Sequence, residues 1–193
     1  DKTLIDHMPK LKYIGMYGTG FGRIDVEYAR KKGVTVCNIA GYATEGVAEF
    51  VFGALLEYFR EISRAKMQAK AGNYSEAGFT GTEIKEKTFG VIGLGRIGAR
   101  VADLASQGFG AHVLYWSKNR KKITGVKRSE LNTLLKNADI ISLHMALNPE
   151  TNGFLNAKRI AMIKSSAVVI NTAPMELINT SALEKRLKKK DLT

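Results

Sequence analysis

From about residue 88 onward, two hydrophobic patterns alternate along the chain. Short runs rich in Val, Ile, Leu and aromatics occur at 88–93, 111–116, 139–143 and 167–171 and read as buried strands. Between them, at 96–107, 129–136, 156–163 and 180–190, apolar residues recur at helical spacing. This order predicts an α/β fold, a doubly wound parallel sheet with helices on both faces. Ligands of such sheets bind beyond the carboxyl ends of the strands. The glycine-rich segment from Gly93, Ser117, His144 and Asn171 all lie at or just past strand ends, so they are expected to line one crevice.

Before Phe89 the pattern differs. Leu11 to Met16 reads as a strand, followed by the turn-like Gly18-Thr19-Gly20-Phe21-Gly22. Asp25 to Lys32 reads as a helix stopped by Gly33, and Val34 to Cys37 as a second strand. Thr44 to about Lys70 is predicted to be one long helix with Val47, Val51, Ala54, Leu55 and Tyr58 at helical spacing. Gly72 to Thr82 is a polar loop. Two strands cannot bury a core alone, so this piece is expected to pack on something further. The apolar face of 44–70 is expected to be buried against a second chain, giving a homodimer.

Gly90 to Gly98 read Gly-Val-Ile-Gly-Leu-Gly-Arg-Ile-Gly, an apolar strand running into Gly93-x-Gly95-x-x-Gly98 and then an amphipathic helix. A dinucleotide pyrophosphate must approach the backbone closely and meet a helix N-terminus. In this pattern Gly93 allows the tight turn, Gly95 leaves room for phosphates, and Gly98 lets the helix sit on the strand. The strand–turn–helix context makes the sheet Rossmann-like. Residues 83–193 are accordingly expected to be a dinucleotide-binding domain, incomplete at its C-terminus. Residues 44–82 would be an interdomain helix and linker, and 1–43 a fragment of a second, flavodoxin-like substrate domain.

The 193 residues are 45% apolar, enough for one substantial core or one domain plus part of another. No apolar run is long enough to span a bilayer, and no membrane partner is expected. The single cysteine, Cys37, excludes an internal disulfide and fits a cytoplasmic setting. The chain begins with Asp1 rather than methionine, which leaves a removed leader or a trimmed N-terminus open. The net charge of +12 is concentrated in Lys118-Asn119-Arg120-Lys121-Lys122 and in Lys185 to Lys190. Such charge raises nucleic acid as a partner class, but no binding motif or aromatic interleaving accompanies it, and none is expected. The second cluster reads as the solvated face of a helix, with Leu183 and Leu187 beneath the lysines.

With these segments in place, the chain resembles the D-specific 2-hydroxyacid dehydrogenases. Leu11-Lys12-Tyr13-Ile14-Gly15, Gly18-Thr19-Gly20 and Ile24-Asp25 are similar to the family's substrate-loop strand and turn. Thr44-Glu45-Gly46-Val47-Ala48-Glu49 is similar to the start of its interdomain helix, and Gly93 to Gly98 to its nucleotide motif. Leu143-His144 with Pro149-Glu150-Thr151, and Asn171-Thr172-Ala173 with Leu177 and Ala182-Leu183, resemble later segments of that family. The resemblance implies hydride transfer between a nicotinamide and the 2-carbon of a small 2-oxo or 2-hydroxy acid. It implies that Thr19 and Gly20 bind the substrate carboxylate through their backbone and that Arg96 and Ile97 lie over the pyrophosphate. Thr44 would sit near the nicotinamide side and His144 to Ala146 would pass the adenine side. Thr172 and Ala173 belong to the same cofactor-binding set.

Several positions depart from the family pattern. Where it has Asn-x-Ala-Arg-Gly, this chain has Asn171-Thr172-Ala173-Pro174-Met175, so the carboxylate-clamping arginine is replaced by a residue without charge or donor. The family's acid/base glutamate and histidine would lie beyond Thr193. His7, His112 and His144 do not occupy the catalytic position, and no catalytic residue is assigned within the chain. The strand 111–116 ends at Ser117, 24 residues after Gly93, where an Asp or Glu usually holds the adenine-ribose hydroxyl. A serine followed by Lys118 and Arg120 favours a 2′-phosphate, so NADP(H) is the expected cofactor, with NAD(H) as the alternative. The expected activity is that of an NAD(P)-dependent oxidoreductase acting on a glyoxylate- or hydroxypyruvate-like acid, with this chain alone inactive. The alternative is a catalytically impaired dinucleotide-binding or sensor module.

Overall fold

The computed structural model describes residues 2–21, 24–189 and 192–193, in two compact units, Asp1–Thr44 and Glu45–Thr193. Gly22 of the expected turn and Lys190 of the second basic cluster lie outside the described residues.

In the first unit, a short helix α1 (Lys2–Asp6) precedes β1 (Tyr13–Met16), α2 (Val26–Lys31) and β2 (Thr35–Asn38). The two strands pair in parallel, with Tyr13 opposite Thr35 and Met16 opposite Asn38. Asp25 caps α2 by accepting from the Tyr28 amide at 2.8 Å, and Gly33, at φ 74°, ends it. The buried core is small, with Ile5, Ala29 and Val34 at its centre. Helix α1 was not expected. Asp6 anchors it by accepting from the Tyr28 hydroxyl and pairing with Lys32, both at 2.7 Å.

The second unit is built on five parallel strands. Following α3 (Thr44–Arg60) and α4 (Ile62–Lys70) come β3 (Thr88–Ile92), α5 (Arg96–Asp103), β4 (His112–Trp116) and β5 (Val126–Arg128). Then follow α6 (Leu131–Asn137), β6 (Ile140–Leu143), α7 (Ala157–Met162), β7 (Val168–Asn171) and α8 (Thr180–Lys188). The strand order is β5-β4-β3-β6-β7, as the β-α alternation predicts. Thr193 continues the edge beside β7, donating to the Ala167 carbonyl and accepting from the Val169 amide. Strand alternation divides the core into two layers. Phe89, Val91, Val113 and Tyr115 face one side with residues of α3 and α5. Ile92, Ile141 and Leu143 face the other with residues of α6 and α7. Among the described residues, no helix is long and apolar enough to cross a membrane.

Four local expectations need correction. The stretch from Thr44 to Lys70 is two helices, because Glu61 adopts φ 51° between them. There the Glu57 carboxylate accepts from the Ser63 amide at 3.0 Å, and Arg64 pairs with Glu61. Val51 and Leu55, expected against a second chain, are fully buried within their own unit beside Phe52 and Phe59; in that layer Phe52 stacks on Phe109 with ring centroids 4.7 Å apart. Leu187, expected beneath the lysines of α8, is 42% exposed, because Arg186 takes the inward position and donates to the carbonyls of Ile160 and Ile163. Finally, β5 was not foreseen, since three residues carrying two cations give no apolar run.

Because Leu55 packs inside its own unit, Leu55→Ala should destabilise that unit by about 2–5 kcal/mol. Denaturant unfolding should show a loss independent of protein concentration; a concentration-dependent loss would place Leu55 in an interface instead.

Candidate functional site

The carboxyl ends of β4, β3, β6 and β7 form one edge, and the chain leaves each strand there through a short polar or glycine-rich segment. At its centre the Gly93 amide donates to the Trp116 carbonyl and the His144 amide to the Ile92 carbonyl, both at 2.8 Å, so the ladder holds to the last residue. Gly93 adopts φ 95°, and a Cβ there would lie 2.6 Å from the His144 carbonyl oxygen. A Cβ on Gly98 would lie 2.0 Å from the Gly93 carbonyl oxygen. Only glycine at both positions lets α5 start directly above the strand.

Gly95 is the N-cap of α5 and makes no side-chain cap; a Cβ on it would meet nothing within 4 Å. The first helical hydrogen bond runs from the Ala99 amide to the Gly95 carbonyl at 3.0 Å. The first-turn amides, including those of Arg96 and Ile97, therefore have no carbonyl of the helix to bind, and they lie at the positive end of the helix dipole. Arg96 is exposed and Ile97 half-buried. This arrangement fits a pyrophosphate, whose oxygens would accept from those amides.

His144 lies beneath the turn. One ring nitrogen, Nε2, is 2.8 Å from the hydroxyl of the fully buried Ser142, and Nδ1 is 3.5 Å from the Thr172 hydroxyl. Burial pushes the imidazole pKa down to about 4, so the ring is neutral at pH 7. Beyond it, the Ala146 carbonyl accepts from the Thr151 hydroxyl at 2.8 Å, and the Asn148 side chain accepts from the amides of Glu150 and Thr151. At the end of β7, Asn171 folds back to accept from the Ala173 amide at 3.0 Å, while its Nδ2 donates to the Met175 sulfur at 3.3 Å. Pro174 and Met175 are exposed there, so the segment offers a pyrrolidine and a thioether but no cation.

On the other flank, Ser117 is half-buried just past β4, and Lys118 reaches across to Glu150 at 3.1 Å. Arg120 lines a cleft of about 680 Å3 with Tyr115, Lys121, Lys122, Arg128, Ser129 and Glu130. The sequence reading missed Arg128, Ser142 and Glu150. The partner of Lys118 comes from a different loop and has no local signal, whereas Ser142-x-His144 was visible as a pair two residues apart on one strand face. A separate cavity of about 810 Å3 sits at the opposite edge, near Lys87, Asp139 and Ser166 at the amino ends of the strands, and contains none of the candidate residues.

The first unit holds the remaining candidates. Thr19 and Gly20 are exposed past β1, where the Asn38 amide group donates to the Thr19 carbonyl at 2.6 Å and Ile39 donates to Gly18 at 3.1 Å. Thr44 is the half-buried first residue of α3. Among the described residues, no cluster of His, Cys, Asp or Glu could hold a metal ion.

Comparison with known proteins agrees with this fold. Residues 52–193 match the NAD-binding domain of the D-isomer-specific 2-hydroxyacid dehydrogenases, and residues 1–93 match their catalytic domain. The chain is 38% identical over 199 residues to a glyoxylate reductase of Thermococcus litoralis and 36% identical over 197 residues to one of Thermofilum pendens. Each alignment covers 97% of this chain, and they cover 60% and 58% of those proteins, so the chain spans about three fifths of their length. Among solved structures, it matches D-lactate dehydrogenase from Aquifex aeolicus complexed with NAD and lactic acid at a TM-score of 0.91 and 34% identity. It matches an acyclic imino acid reductase in complex with NADPH and D-Arg at 0.91 and 33%. Both structural alignments cover 100% of this chain, with 59% and 62% of the other chains. With the two family models together matching residues 1–193 and these structures matching along its whole length, the chain belongs to the D-isomer-specific 2-hydroxyacid dehydrogenase family.

Proposed function

We propose that the full-length protein transfers a hydride between NADP(H) and a small 2-oxo or 2-hydroxy acid of the glyoxylate or hydroxypyruvate type. The observation that carries this reading is the open, uncapped helix start at Gly95, flanked by a neutral His144 on one side and a cationic loop on the other. The amides of Arg96 and Ile97 would hold the pyrophosphate. Ser117, Lys118 and Arg120 would meet the adenosine ribose, with His144 and Ala146 beside the adenine. Thr44, Thr172 and Ala173 complete the cofactor set, and Thr19 and Gly20 take the substrate carboxylate through their backbone. The bound nicotinamide supplies a hydride donor or acceptor. The chain's own residues bind it, orient it, and hold a neutral ring rather than a second cation beneath the turn. The 193-residue chain alone is expected to bind dinucleotide without turnover.

Two further assignments accompany this reading. The homodimer we propose uses the apolar side chains that 44–70 leaves exposed, Phe50, Tyr58, Ile62 and Met67. The free, exposed Cys37 fits the reducing cytoplasm that we assign to the protein.

The neighbouring structures include both NAD and NADPH complexes, so the preference must come from this chain's own residues. Ser117 places no carboxylate against a 2′-phosphate, and Arg120 forms no ion pair among the described residues. Fluorescence titration should show tighter binding of NADPH than NADH. Arg120→Ala should weaken NADPH by roughly 1–3 kcal/mol and leave NADH unchanged; equal or tighter NADH binding by the unmodified protein would overturn the preference.

A second reading, a dinucleotide-binding module without hydride transfer, is favoured by Pro174 and Met175. A carboxylate approaching the end of β7 meets no guanidinium from that segment. The two readings separate in the full-length protein. If the module reading holds, reduction of glyoxylate is poor, and Pro174→Arg with Met175→Gly should raise kcat/KM by about 10²-fold or more, the scale of one oriented charge-stabilising group. Rapid glyoxylate reduction by the unmodified protein would exclude it.

A further inference from the structure

We propose that Arg128, at the carboxyl end of edge strand β5, is a specificity-determining residue that closes a cationic cleft around the adenosine 2′-phosphate. This rests on the NADP(H) reading above and names a residue that reading does not contain.

The cleft beside β4 and β5 is walled by Arg120, Lys121, Lys122 and Arg128, with Glu130 as its one carboxylate. None of these four cations forms an ion pair among the described residues. Four like charges around one cavity repel each other, and a doubly charged phosphate would convert that repulsion into attraction. The cluster is also built rather than loosely solvated. The Tyr115 hydroxyl donates to the Lys121 carbonyl at 2.6 Å and accepts from the Lys121 amide at 3.1 Å, which ties the basic loop back to the sheet.

Register then selects Arg128. Tyr115 and Arg128 are opposite one another in the parallel β4–β5 ladder, so their side chains leave the same sheet face, the one against which α5 packs. Lys127 is opposite Leu114, which belongs to the other core layer. The Arg128 Nη2 lies 3.5 Å from the Ser117 carbonyl, so its guanidinium hangs over the residue where the ribose hydroxyl is expected. Arg120 and Arg128 thus approach the same position from a loop and from a strand. A guanidinium held on a strand presents its donor fork to phosphate oxygens with less freedom to lose than one on a loop.

Calorimetric titration of the full-length protein with 2′,5′-ADP and 5′-AMP separates the 2′-phosphate from every other part of the ligand. The unmodified protein should favour 2′,5′-ADP. Arg128→Ala should weaken 2′,5′-ADP about tenfold or more and leave 5′-AMP within about twofold, as expected for loss of a charge-assisted contact to one group. Lys127→Ala removes the same charge from the opposite face and should leave both ligands within about twofold, since an exposed charge outside the cleft is screened. If the unmodified protein favours 2′,5′-ADP but Arg128→Ala keeps that preference, or Lys127→Ala erodes it equally, the Arg128 assignment is overturned and the NADP(H) reading stands. Loss of both ligands together in Arg128→Ala also overturns it. If the unmodified protein does not distinguish the two ligands, the NADP(H) reading itself fails, and Arg128 with it.

Discussion

The carboxyl edge of the sheet depends on one close approach, the α carbon of Gly98 against the carbonyl of Gly93. A single methyl group at position 98 would come within 2.0 Å of that oxygen, and one at position 93 within 2.6 Å of the His144 carbonyl. Without them β3, the start of α5 and the end of β6 meet in direct contact. That contact aims the helix. The positive end of its dipole then lies at Gly95, where an added Cβ would meet nothing within 4 Å. The same contact explains why His144 is neutral, since a ring packed under the turn is stripped of water and holds hydroxyl partners rather than charged ones.

Charge along this edge is sharply divided. The β4–β5 flank carries Lys118, Arg120, Lys121, Lys122 and Arg128, and only Lys118 has an acidic partner among the described residues. The β6–β7 flank carries the neutral imidazole of His144, the exposed Pro174 and Met175, and the carboxylates of Glu150, which pairs with Lys118, and Glu176. The cationic flank would suit a 2′-phosphate on the adenosine ribose, and the neutral His144 would suit the uncharged adenine, so neither contact would bury an unpaired charge. The division also sharpens the question raised by Pro174. If the reacting end receives a carboxylate, its counter-charge must come from somewhere other than the segment after β7.

Much of this was legible in the sequence because it depended on local periodicity. The strands β3, β4, β6 and β7 and the helices between them each carry a run or a spacing long enough to read, and the glycine motif declares its own turn. What escaped depended on three-dimensional neighbours. The break at Glu61 arises where the Glu57 side chain captures an amide beyond the helix end, and residues on either side of it have good helical spacing. Val51 and Leu55 announced an apolar face, but spacing does not say which surface covers it; the sheet of their own unit does. Strand β5 is three residues with two cations, recognisable only through its pairing with β4. Arg128 and Glu150 become part of the candidate site only once their loops and strands are folded beside Ser117 and Lys118.

The central claim is that the start of α5 holds a dinucleotide pyrophosphate. The most direct measurement is a crystal structure of the full-length protein grown with dinucleotide. The account predicts pyrophosphate oxygens within hydrogen-bond distance, about 2.7–3.2 Å, of the Arg96 and Ile97 amides, lying over Gly95. A dinucleotide bound elsewhere with those amides facing only water would contradict it.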